Sequence, residues 1–166
     1  MSKAVISVDP RQSALQRRRQ LTREHVSDLV RNNSSDEEIR AALTPEHVEW
    51  ARVLIPFIQE DLAGGNTDDT KGPVPLFDAV SAYCALALVM ASPENQEAFI
   101  SVSVSLLSNE PASLVVPAIW EICKERVRPY EFVPTVMDRI EGKSAALRQE
   151  LAVVEKIVSL DAGSEA

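Results

Sequence analysis

Three times in this chain a residue able to cap a helix is followed at once by proline: Asp9-Pro10, Thr44-Pro45 and Ser92-Pro93. An Asp, Thr or Ser side chain accepts a hydrogen bond from the orphan N–H groups of a first helical turn. Proline fits the first helical position, where no N–H is required and its fixed φ already suits the helix. Ser35-Asp36-Glu37-Glu38 adds an opening of capping-box form, with Glu38 three residues after Ser35. These devices turn 10 prolines, many for a helical chain, into punctuation, and only 5 glycines stand against helix formation. The fold class expected is all-α: an irregular helical bundle of five to seven helices with a long C-terminal helix.

The organisation expected is a flexible leader over 1–8, a helical domain over 9–133, a long amphipathic helix over 134–160 and a disordered tail over 161–166. The first helix runs from Pro10 to about Arg31, its apolar stripe interrupted by Arg17, Arg18 and Arg19, and Asn32-Asn33-Ser34 stops it. A short helix follows from Ser35 to near Leu43. The next, 45–62, is apolar over more than half its circumference, which places it at the centre of a bundle. Pro56 should kink it or end it early. Residues 63–75 read as the long connection, and 76–91 as a further helix.

Segment 93–108 carries two periods. Ile100, Val102, Val104 and Leu106 alternate with serines, as in a half-buried strand, while Phe99, Val102, Leu106 and Leu107 keep helical spacing. Helix is the reading adopted, because the Ser92-Pro93 opening demands it and a lone strand has no partner. Another helix, from Pro111 or Ala112 to about Arg126, precedes a link in which Tyr130 and Phe132 serve as aromatic plugs.

After Pro134, residues Met137, Ile140, Ser144, Leu147, Leu151, Val154 and Val158 fall at alternating spacings of three and four. That is a heptad seam of coiled-coil type along a helix of about seven turns. Gly142 and Ser144 weaken its first half, so Leu147, Leu151, Val154 and Val158 are the expected partner-binding residues. Alternatively, the helix packs back along the first or third helix and completes the core.

The net charge of −8, from 25 acidic and 17 basic residues, favours a protein partner over nucleic acid. Arg17, Arg18 and Arg19 are the candidate nucleic-acid contacts, weighed against a solvated helix face. His25 and His47 stand apart without further ligands, and Asp68 and Asp69 lack the order of a calcium loop, so no metal site is expected. Gly64, Gly65, Lys71 and Gly72 form no phosphate loop, and no nucleophile motif occurs, so no cofactor and no enzymatic activity are expected. Cys84 and Cys123 read as buried thiols, and Trp50 and Trp120 as core or interface residues. Met1–Pro10 lacks a signal-type apolar run, and Ala79–Pro93 falls short of the ~20 residues that span a bilayer. The expectation is a cytoplasmic protein without membrane contact.

From Phe99 to about Leu147 the order of parts is distinctive: a helix, a small-residue turn at Asn109-Glu110-Pro111, an apolar helix Leu114–Cys123, a basic link ending in an aromatic, and Phe132-Val133-Pro134-Thr135 opening the next helix. This stretch resembles the helical domain of phage and prophage replicative-helicase loaders or inhibitors. The resemblance covers roughly a third of the chain and implies a small non-catalytic adaptor contacting a hexameric helicase. The functional expectation is therefore a protein-binding adaptor, a phage-type replication accessory protein. The alternatives are a DNA-binding protein using the Arg17–Arg19 helix and a structural protein that self-associates through its C-terminal helix.

Overall fold

A computed structural model describes residues 9–63 and 75–163. The expected leader, nearly all of the 63–75 connection and the last residues of the tail lie outside these. The described residues form eight α-helices and one short 3-10 turn, and contain no strand. The helices are α1 (Pro10–Arg23), α2 (His25–Arg31), α3 (Asp36–Ala42), α4 (Pro45–Leu62), α5 (Pro75–Ala87), α6 (Pro93–Leu107), α7 (Ala112–Ile122) and α8 (Phe132–Ala162). The all-α class and the long C-terminal helix are as expected, and 93–107 is helix. Asp161 and Ala162, assigned to the tail from sequence, close the last turns of α8.

The predicted openings are present as hydrogen bonds. Asp9 accepts from the Arg11 N–H at 3.0 Å, and Ser92 from the Asn95 N–H at 3.3 Å. Ser35 and Glu38 form the full capping box, at 3.3 and 3.1 Å. At Thr44 the box is completed by histidine: the His47 N–H donates to Thr44 Oγ1 and the Thr44 N–H donates to His47 Nδ1, both at 3.3 Å. His47 thus takes the place usually held by Glu or Gln.

The first helix is two. Glu24 is extended, with φ −74° and ψ 143°, and separates α1 from α2. The buried Ser27 hydroxyl donates to the Leu21 carbonyl at 2.6 Å across the break. Leu21 and Val26 are both buried. On one straight helix, five positions at 100° each would hold them about 140° apart. The break re-aims Val26 and explains the broken stripe. Helix α4 continues through Pro56, whose exposed position turns the missing N–H toward water.

By its internal contacts the chain divides into two compact units, one of Met1–Gln59 with Gln149–Ala166 and the other of Glu60–Arg148. In the first, Leu21, Val26, Ile39, Ala51, Leu54 and Ile58 are buried, as are Val153, Val154, Ile157 and Leu160 of α8. Three ion pairs join that half of α8 to other helices of the unit: Arg18–Glu150 to α1, Lys156–Asp36 to α3 and Arg52–Asp161 to α4.

The second unit has its own core, built from Leu76, Val80 and Tyr83 of α5, Leu107 of α6, Val115, Ile119 and Ile122 of α7, and Phe132, Val136 and Ile140 of α8. Tyr83 stacks on Phe132 with centroids 4.0 Å apart, and Phe99 lies 5.6 Å from Phe132. The Tyr83 hydroxyl donates to the Val127 carbonyl at 2.7 Å. Phe132 is thus a plug, as expected. Tyr130 is not, for it is exposed and accepts from Arg128.

Candidate functional site

The four residues expected to bind a partner through α8 do not share one open face. Val154 is 2% exposed, and Leu147, Leu151 and Val158 are half-buried. The buried line of the first half of α8 advances by fours through Phe132, Val136, Ile140 and Ser144. Ser144 is satisfied by Glu110, whose Oε2 accepts from its hydroxyl at 3.3 Å and from Arg148 Nη2 at 3.2 Å. The second half buries Val153, Val154, Ile157 and Leu160 instead. Ser144 and Val153, nine positions apart, lie about half a turn from each other around the helix. Every residue of the heptad is buried or half-buried, but the most buried positions leave the heptad line in the second half, and from Gln149 onward the helix is tied to α1, α3 and α4 of its own unit by the three ion pairs.

The arginine cluster is divided too. Arg18 is bound by Glu150 in a forked pair, Nε to Oε1 and Nη2 to Oε2, both 2.6 Å. A guanidinium forked by a carboxylate along one edge is held as a structural link between helices. Arg17 is half-buried and Arg19 exposed. Arg18, Arg19, Arg23 and Leu15 border a shallow groove of about 360 Å³ in which Glu150 supplies the opposing charge.

The remaining chemistry-bearing residues are scattered. Among the described residues no group of three or more His, Cys, Asp or Glu is arranged to hold a metal ion. No described helix is long and apolar enough to cross a membrane. Both cysteines are free, Cys84 buried and Cys123 half-buried, and burial pushes both thiols up, which favours the protonated, unreactive form. His47 lies 3.6 Å from Glu24 and packs edge-on to the half-buried Trp50.

The surface that remains is apolar and lies on the Glu60–Arg148 unit. On α6, Ser103 and Leu107 face inward, while Val102 and Leu106 are 58% and 57% exposed. An alternation of aliphatics and serines folded as helix cannot bury every aliphatic. Successive members are 200° apart, so Ile100 and Val104 fall on one side and Val102 and Leu106 on the other. The first pair is half-buried beside a groove of about 480 Å³ lined with Phe77, Glu97, Ser101, Ser105 and Ser108. Helix α5 ends at Ala87, four residues before the expected Ala91, because Gln96 Nε2 donates to the carbonyls of Leu88 and Ala91, at 3.0 and 3.2 Å, and holds a turn there. That turn leaves Val89 and Met90 at 69% and 94% exposure. Trp120 on α7 is 45% exposed. Sequence reading missed this face; the 200° consequence of the Ile100–Leu106 alternation was the signal for it.

No protein-family model, curated protein or solved structure matches the chain.

Proposed function

We propose that this protein is a non-catalytic adaptor that docks a protein partner on the Glu60–Arg148 unit. The observation that carries the reading is where the exposed large apolar side chains lie. Among the described residues, Phe77, Leu86, Val89, Met90, Val102, Leu106, Trp120 and Tyr130 belong to that unit, and Leu15 to the other. Single exposed apolar residues are normal on a surface, and it is their number on one unit that directs the search for a partner there. Aromatic and long aliphatic side chains of this kind supply most of the binding energy at protein interfaces.

The resemblance of residues 99–147 to helicase loaders and inhibitors covers α6, α7 and the first half of α8, and it makes a hexameric replicative helicase the first partner to try. The test compares the wild-type chain with a Val102→Asp, Leu106→Asp variant in capture from host extract and in binding to the purified helicase. Loss of a captured protein in the folded variant is the expected result. Capture unchanged by the substitutions would sink the reading. Binding to other proteins but not to helicase would remove the replication part alone.

A further inference from the structure

Resting on that adaptor reading, we infer that the groove along α6 on the side away from Val102 and Leu106, walled on α5 by Phe77, seats an amphipathic helix of the partner, one whose apolar stripe has a basic residue at each end. The groove has the shape for it. Helices α5 and α6 run antiparallel, since Gln96 bonds to Leu88 at one end while Phe77 and Ser108 line the groove at the other. Phe77, Ile100 and Val104 make its apolar walls. The exposed Ala98, Ser101 and Ser105 form a low ridge beside them, over which a second helix can approach closely.

Charge selects the occupant. No Lys or Arg occurs between Lys71 and Lys124, so α5, α6 and α7 carry no cation at all. The charges of α5 and α6 are Asp78, Glu94 and Glu97, all exposed, and none makes an ion pair among the described residues. Glu97 lines the groove, Glu94 lies one turn before it at the N-terminal end of α6, and Asp78 follows Phe77 on α5 at the opposite end, outside the lining itself. From Glu97 to Ser108 the groove follows roughly 16 Å of helix, about three turns. A complementary helix therefore carries Lys or Arg about three turns apart, with aliphatic residues between them. Cations there gain from the acidic ends, whereas an acidic helix would be repelled at both.

The test uses the full chain and two synthetic helical peptides of Leu and Ala, one with Lys at both ends of the stripe and one with Glu. Binding is read by titration, with amide chemical shifts locating the contact. The Lys peptide is expected to perturb Phe77 and residues 100–108, and the Glu peptide to bind at least tenfold more weakly. An Asp78→Lys, Glu97→Lys variant should reverse that preference, and Ser105→Trp, which fills the groove, should abolish binding of both. Melting curves establish that each variant is folded. Equal affinity for the two peptides, shifts located elsewhere, or a preference unchanged by charge reversal would overturn the proposal. So would self-association of the chain lost in these variants, which would assign the groove to a second copy. If neither peptide binds while a host protein is still captured and lost in Val102→Asp, Leu106→Asp, the adaptor reading stands and the basic-helix inference falls.

Discussion

Asn33 is the one non-glycine residue with a positive φ, 52°, among those described. It follows α2 in a Schellman arrangement, in which the Ser34 N–H reaches the Leu29 carbonyl at 3.0 Å and the Asn33 N–H reaches Val30 at 3.1 Å. Asn tolerates this left-handed conformation and a β-branched residue does not. Asn33→Val should therefore lower stability by about 1–2 kcal/mol in urea titration, although the residue is exposed. Tyr83 shows the opposite kind of constraint. Burial, followed by the charges of Cys123, Glu131 and Cys84, pushes its phenol up to about 12. The neutral form is the one the fold holds, so the unfolded chain releases its proton first as pH rises. Its contribution to stability is then full below about pH 10 and is lost progressively as pH climbs toward about 12. Tyr83→Phe should flatten that alkaline decline in melting temperature. It should also cost about 1–2 kcal/mol at neutral pH by leaving the Val127 carbonyl without its donor.

Among the elements, α8 is where pattern and packing diverge most. A heptad of apolar residues requires one face to stay in register along the whole helix. Here the buried Ser144 and Val153 lie about half a turn apart around the helix, and the two residues belong to different units. Ile157, absent from the heptad, is fully buried, whereas Leu147 and Leu151, both in it, are half-buried. Ile157→Ala should cost about 2–5 kcal/mol, a core penalty that chemical denaturation would register directly. Gly142 lies in the first half of α8, exposed, with nothing within 4 Å of where a Cβ would stand. Gly142→Ala should raise stability by about 0.8–1 kcal/mol through helix propensity alone. No gain in the midpoint of thermal unfolding would mean that the glycine is needed for a bend or a close approach. Helix α6 diverges in the other direction: its alternation suits a strand, its cap dictates a helix, and the conflict leaves Val102 and Leu106 in water.

Over the whole molecule, the apolar surface and the charge are unevenly distributed. The net −8 is spread along the sequence, but the stretch without a single cation coincides with the helices that carry the exposed Phe77, Val102 and Leu106. Residues that stabilise the fold and residues held ready for a partner respond differently to truncation. A Met90→Ser, Val102→Ser, Leu106→Ser variant should keep its melting temperature within about 3–6 °C of wild type, since surface changes cost within about 0.5 kcal/mol each. The same variant should stay in solution to higher concentration. A large drop in melting temperature would show that these side chains are packed, and would take the docking face away with them.

Helix openings at Pro10, Asp36, Pro45 and Pro93 were legible in the chain because a cap is local chemistry: the acceptor, the proline and the N–H groups lie within four residues of one another. The helical class followed from the same signals. The break at Glu24 was visible only as an interrupted stripe, and His47 as a capping residue only once its Nδ1 was seen beside Thr44. What tertiary structure alone decided is which apolar stripe faces inward. Periodicity says that residues share a face of a helix, but not which other helix covers it. Val154 and Val102 illustrate the gap: one belonged to the seam expected to be open and is buried, the other was expected in helical packing and is exposed. The difference lies in the neighbours, α1, α3 and α4 beside the second half of α8 and, among the described residues, no helix covering Val102 on α6, and long-range packing of that kind is not written in any local pattern.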